Sequence, residues 1–306
     1  MEHHSNIVPW QLLAERKKAV LKFAQLSEDM SLDVDHLVSL ITPKTKLVSM
    51  VHVSNALGGV NPVKEAVEAA RVVGARVLVD GCQSVPNMPV DVQELGVDWL
   101  AASGHKMCGP TGIGFLYGRL DVLESMPPWQ GGGEMIDEVF LDRSTFAPPP
   151  ARFEAGTPAI AQAVGLGAAC DYLSGIGMDK IAAYEHALGR YLWDQVKAIE
   201  GLTLYGQPPN AAGDNRNPLV SFNSADVHAH DLSFFLDQEG VAIRAGHHCA
   251  QPLHRQLGAA GSLRASCYLY NTVEDVDRFI AALKTTLDFF GGLGGSGEGQ
   301  PVDLLV

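Results

Sequence analysis

Short apolar runs that end in polar, glycine-bearing loops alternate with helix-periodic stretches through the first 120 residues, and this alternation limits the available folds more than any other feature. Lys46 to Val53 reads as a strand, Val63 to Val73 as a helix and Arg76 to Asp80 as a strand, with further units at Asp98 to Ser103 and Gly112 to Gly118. Strand and helix in turn predict an α/β fold, a mainly parallel sheet covered by helices. Ligands of such sheets gather at the carboxyl ends of the strands, where loops and helix N-termini converge. Asn55, Asp80 and Lys106 all fall at or just beyond such ends.

Asp80 and Lys106 are the pair with the clearest chemistry. A lysine amine condenses with the aldehyde of pyridoxal phosphate, and a carboxylate facing the ring nitrogen keeps that nitrogen protonated, so the ring can drain electrons from a carbanion. Lone Lys and Asp residues mostly sit in solvent. Here both follow apolar strands in Gly- and Ser-bearing loops, Asp80-Gly81-Cys82 and Ser103-Gly104-His105-Lys106, which favours the functional reading. A second cluster, Arg244-Ala245-Gly246-His247-His248-Cys249-Ala250, places one thiol among cationic and imidazole groups. Cationic neighbours favour the nucleophilic thiolate. Cys82, Cys108, Cys170 and Cys267 read instead as small buried hydrophobes, the commoner fate of a free cysteine.

The passage from Pro127 to Pro158 holds Gly131-Gly132-Gly133 and Pro148-Pro149-Pro150 and shows little periodicity, as expected of a long loop and a boundary. Beyond it come helical stretches near Ala159 to Leu173 and Met178 to Ile199, then short strands at Leu202 to Tyr205, Leu219 to Phe222 and Val241 to Arg244. Thr272 with Asp275 resembles a helix N-cap opening an amphipathic helix through Val276, Phe279, Ile280 and Leu283. The expected organisation is a large cofactor-binding domain over 1–158, a smaller α+β domain over 159–290 carrying the Cys249 loop, and a glycine-rich disordered tail over 291–306.

A formal charge of −13 argues against nucleic-acid or anionic-membrane partners. Five cysteines without CxxC spacing fit a reducing compartment, and the most apolar stretch, Pro158 to Cys170, is too short and interrupted to span a membrane. A zinc site from His247, His248 and Cys249 is disfavoured, because adjacent side chains point in different directions and no second ligand pair stands at the right spacing. No metal is expected.

Taken together, Glu2-His3-His4-Ser5-Asn6, Val79-Asp80-Gly81-Cys82-Gln83, Ser103-Gly104-His105-Lys106, Arg152-Phe153-Glu154-Ala155-Gly156-Thr157-Pro158 and the Arg244 to Ala250 loop closely resemble the Suf-type (group II) cysteine desulfurases, over residues 1–290. These are class V, fold type I pyridoxal phosphate enzymes. Cys82-Gln83-Ser84 and Met107-Cys108-Gly109 look most like the plastid versions. The resemblance implies that Lys106 holds the cofactor covalently and moves protons, that Asp80 pairs with the ring nitrogen and that Gln83 bonds the phenolic oxygen. It implies that His3 stacks on the ring and takes a catalytic part by shuttling a proton, that Ser103 and His105 bind the phosphate, and that Thr157 reaches the phosphate of a neighbouring subunit. Asn55 and Arg264 would bind the substrate carboxylate and Cys249 would attack the substrate sulfur, turning L-cysteine into alanine and leaving a persulfide.

By the same resemblance the chain is expected to be a homodimer that passes sulfur to a SufE-like acceptor for iron-sulfur cluster assembly, with selenocysteine lyase activity as a side reaction. Its place would be the plastid stroma, or the cytoplasm in a prokaryote. Members of that family carry a further stretch, with a phosphate-holding Thr-Thr turn, ahead of the point where this chain begins. The chain is therefore expected to be incomplete at its N-terminus, to bind the cofactor weakly alone and to aggregate. Two alternatives stay open: another class V aminotransferase or lyase with no need of the thiol, and a non-catalytic fragment that keeps only a dimer or acceptor-binding surface.

Overall fold

The computed structural model describes residues 1–294. They form two compact units, one of residues 2–54 and 60–183, the other of residues 55–59 and Tyr184 onward together with Met1. The sequence break at Pro158 lies inside the first unit, and the division falls within a helix instead.

The first unit begins with α1 (Val8–Lys17) and α2 (Val34–Leu40), followed by β1 (Leu47–Val51), α3 (Val63–Val72), β2 (Arg76–Asp80), α4 (Val92–Leu95) and β3 (Trp99–Ser103). Strands β1, β2 and β3 pair in parallel, with Val51 opposite Asp80 and Asp80 opposite Ala101. Their buried Val48, Met50, Val77, Val79 and Leu100 give the apolar runs that a covered parallel sheet needs. Helix α3 turns Val63, Ala66, Val67 and Ala70 inward at helical spacing, while Asp91 caps α4 by accepting from the Gln93 and Glu94 amides.

The fourth strand, β4 (Gly114–Gly118), runs antiparallel to β3, so the sheet is mainly parallel, as expected. Only a short 3-10 turn over Gly104–Lys106 and a few loop residues connect the two strands, and parallel neighbours need a longer crossover. After α5 (Leu120–Glu124), the triple glycine leads into a hairpin of β5 (Ile136–Val139) and β6 (Ser144–Phe146), then α6 (Ile160–Ile176). No helix among the described residues is long and apolar enough to cross a membrane.

Helix α7 (Met178–Lys197) leads into the second unit, whose elements are β7 (Leu202–Tyr205), β8 (Leu219–Ser224), α8 (Ala229–Gln238), β9 (Arg244–Gly246), α9 (Gln251–Gln256), β10 (Ser262–Ser266) and α10 (Val273–Gly294). Its sheet has the order β7-β8-β10-β9 and is antiparallel throughout. Leu192, Val196, Phe222, Leu232, Leu263 and Leu283 lie in its core. The strand expected at Val241 to Arg244 is displaced: Val241 and Ile243 pack against the core without pairing, and the ladder starts only at Arg244 opposite Arg264. Residues 291–294, expected in the tail, continue α10, since extending an existing helix costs little. The rest of that tail, 295–306, lies outside the described residues.

Residues 55–59 belong to this second unit because three of its side chains and one backbone amide capture their carbonyls in succession. Arg264 Nη1 donates to Asn55 O (2.7 Å), Ser221 Oγ to Ala56 O (2.5 Å), Arg216 Nη2 to Leu57 O (3.2 Å) and the Asn217 amide to Gly58 O (2.9 Å). Arg216 is buried, stacks on Trp193 at 4.2 Å and also donates to Gln207 O and Leu219 O.

Candidate active site

Asp80 ends β2 and is 8% exposed. One of its carboxylate oxygens accepts the Cys82 amide at 2.9 Å, and among the described residues it makes no ion pair. One strand over, β3 delivers Ser103 and then the tight turn that carries His105 and Lys106. Gly104 is needed there, since a Cβ would lie 2.9 Å from Ile113 O. The Cys82 thiol sits 3.3 Å from Ser103 Oγ and feels the charges of both Asp80 and Lys106, so acid, amine and hydroxyl converge at the carboxyl ends of β2 and β3. Burial first, and Asp80 second, raise its pKa and keep it a neutral thiol.

Around this group lie further residues, some of which the sequence reading gave no individual role. Glu2 accepts the Val51 amide (3.0 Å) and Asn6 Nδ2 (2.6 Å), and Asn6 Oδ1 accepts from Ser49 Oγ and Trp10 Nε1, so the segment holding His3 is fastened to β1. Burial raises the Glu2 pKa, with Asp80 adding to it. His3 Nδ1 accepts the Ser5 amide at 3.1 Å, which leaves the ring proton of its neutral form on Nε2. Buried His52, whose amide donates to Asp80 O, has its pKa lowered to about 4 by burial. Gln83 is half-buried, while His105 and Thr157 are exposed.

The second unit assembles the thiol group. Cys249 is half-buried in the turn between β9 and α9, and both His248 (φ 51°) and Cys249 (φ 56°) hold left-handed backbone. Non-glycine residues rarely adopt that conformation, and such strain gathers at functional sites. Arg244 Nη2 lies 3.9 Å from Cys249 Sγ. Asn55 Nδ2 donates to His248 O at 2.6 Å, while Arg264 holds Asn55 O, so thiol turn, amide and guanidinium form one chain of contacts. Burial, then Arg244, lowers the Arg264 pKa while Cys249 opposes this. Arg264 Nε is a buried donor without a hydrogen-bond partner, leaving donor capacity where the resemblance puts a substrate carboxylate.

The family described as aminotransferase class-V matches residues 1–279. The chain belongs to the class V aminotransferase family. A probable cysteine desulfurase of Synechocystis sp. is 56% identical over 290 residues, 95% of this chain and 69% of that protein. The crystal structure of the Escherichia coli cysteine desulfurase CsdA in an S-sulfonic acid form superposes with a TM-score of 0.89 at 38% identity, covering 94% of this chain and 70% of that one. A C-DES mutant with glycine covalently linked to the PLP cofactor matches at 0.78 and 27%, covering 92% and 72%.

In this class V aminotransferase the residues fit pyridoxal phosphate: a buried carboxylate without a cation partner, and an amine one strand away. Cys82, read from sequence as packing, belongs to that group through Ser103. Cys108, in the turn after Lys106, and Cys170, on α6, were also read as buried but are exposed. Among the described residues no His, Cys, Asp and Glu group is arranged to hold a metal.

Proposed function

We infer that this chain is a pyridoxal phosphate-dependent cysteine desulfurase with Cys249 as its nucleophile. The observation that carries the reading is the Cys249 turn itself: a half-buried thiol in left-handed backbone, next to Arg244 and linked through His248 and Asn55 to Arg264. The bound cofactor supplies an electron sink for charge left on the substrate carbon. Asp80 would hold the proton on its ring nitrogen, Lys106 would anchor the cofactor and carry protons to and from the substrate carbon, and Ser103 and His105 would hold the phosphate. Arg264 offers the substrate carboxylate two N–H donors, with Asn55 beside it. Cys249 sulfur bonds to the substrate sulfur as the substrate C–S bond breaks. The electron pair stays on carbon and takes up a proton, giving alanine and a persulfide on Cys249.

The Suf-type assignment, the plastid stroma, a homodimer in which exposed Thr157 reaches a neighbour's phosphate, a SufE-like acceptor feeding iron-sulfur cluster assembly and a side activity on selenocysteine are parts of the same reading, supported by the motif likeness and by the exposure of Thr157. Incubation with pyridoxal phosphate and L-cysteine, followed by peptide mass spectrometry, tests the core of it. One added sulfur on the Cys249 peptide, with equimolar alanine and loss of both in Cys249→Ser, is the expected result. Alanine formation that survives Cys249→Ser, or a transaminated product pair, would refute it.

A further inference from the structure

Behind the Cys249 turn lies a buried polar network that the chemistry above does not use. His248 and His254 are each 2% exposed and Ser262 is 1% exposed. His254 Nδ1 lies 3.1 Å from Ala250 O, and its Nε2 lies 3.0 Å from Ser262 Oγ. The same hydroxyl lies 2.9 Å from His248 Nε2. Ser262 opens β10 and pairs with Gly246 at the end of β9, so the network ties the two sides of the turn together.

Donor and acceptor accounting assigns every proton. A carbonyl only accepts, so His254 carries its proton on Nδ1 and donates it to Ala250 O. Its Nε2 is then an acceptor, and Ser262 donates its hydroxyl proton to it. The serine oxygen in turn accepts from His248, whose proton is therefore on Nε2. His248 Nδ1 is left as a buried lone pair without a partner, consistent with its place in the buried set. Burial leads the downward pKa shift at both rings, with Arg264, His254 and Arg244 adding to it at His248, which drops to about 3, so both rings stay neutral near neutral pH.

We propose that His254, Ser262 and His248 form a one-directional hydrogen-bond relay that clamps the Cys249 turn in its left-handed backbone, making His254 and Ser262 positioning residues for the nucleophile. The positioning role rests on Cys249 being that nucleophile; the relay itself stands on geometry alone. His247, the other histidine of the pair, makes an edge-on ring contact with His254 at 5.5 Å and takes no part in the proton order.

Two measurements that need neither cofactor nor turnover test the relay. Nitrogen-15 NMR of the full chain with labelled histidine, at neutral pH, should show His254 protonated on Nδ1 and His248 on Nε2. A His248 proton on Nδ1, or an imidazolium at either residue, would overturn the proposal. In Ser262→Ala the Ala250 amide, bonded to His247 O at 2.8 Å, should exchange about tenfold faster. Ser262→Thr, which keeps the hydroxyl, should restore the slow rate, and amides of β7 and β8 should be unchanged in both variants. Unchanged exchange at Ala250, or uniform acceleration across the sheet, would show that Ser262 only packs. If both readings hold while Cys249→Ser still releases sulfur, the desulfurase assignment fails and the relay survives.

Discussion

Cys82 shows how one side chain changes meaning once its neighbours are known. In the sequence it is a small residue after a strand; in the fold its sulfur lies 3.3 Å from Ser103 Oγ, under the influence of Asp80 and Lys106. The thiolate is the species that alkylates, so a thiol kept neutral by burial and a nearby carboxylate reacts slowly. Iodoacetamide at mildly alkaline pH should therefore modify exposed Cys108 and Cys170 first, and Cys82 and Cys267, the latter pushed up to about 11 by burial, last. Peptide mapping over time checks the order, and early loss of Cys82 would contradict its placement. Asp80, Lys106 and Cys249 stand out in the sequence as candidates because their chemistry is tied to short motifs. His52, Ser262 and His254 do not, because nothing in their own neighbourhood says what will be buried against them.

Elements whose stabilising contacts are local were the easiest to read. Strands β2 and β7 were read to the residue because the apolar run of the one and the alternation of the other are bounded by glycines. Helix α10 begins where Thr272 and Asp275 cap each other, the Thr272 amide donating to Asp275 Oδ2 (3.0 Å) and the Asp275 amide to Thr272 Oγ1 (3.3 Å). Thr272→Ala removes half of that exchange and should cost about 1 kcal/mol, measured by urea unfolding. A change within error would mean that the contact is solvent-compensated. Strand β9 was misplaced by three residues because hydrophobic burial marks Val241 and Ile243, whereas strand identity depends on a partner, β10, that lies distant in sequence. The direction of β4 likewise depends on what the connection lacks.

At the scale of the whole molecule, buried ionisable groups set how stability changes with pH. Glu185 is 1% exposed, with both carboxylate oxygens outside hydrogen-bond geometry; burial pushes its pKa up to about 8, and the Leu269 backbone offsets this only in part. A carboxyl that keeps its proton when folded and loses it when unfolded stabilises the fold below the usual carboxylate range, and that stabilisation drains as pH rises towards 8. The slope is at most ~1.4 kcal/mol per pH unit. Glu185→Gln should remove it, so that the Tm of the variant exceeds that of the natural chain by a margin that widens from pH 5 to pH 8. A constant margin would show that Glu185 has found a partner.

The captured carbonyls of residues 55–57 bear on how such a protein could be rearranged. Their donors, Arg264, Ser221 and Arg216, lie more than 150 positions downstream, so the thiol-bearing body is not contiguous in the gene. A cassette that began at Tyr184 would take the acceptors from two interior donors, Arg264 Nη1 and Ser221 Oγ, each at a cost of about 1–3 kcal/mol, while Arg216 would keep Gln207 O and Leu219 O. Recombination can therefore not transplant that body with a single crossover, and an excised copy would need the short upstream peptide supplied in trans before it closed around Cys249.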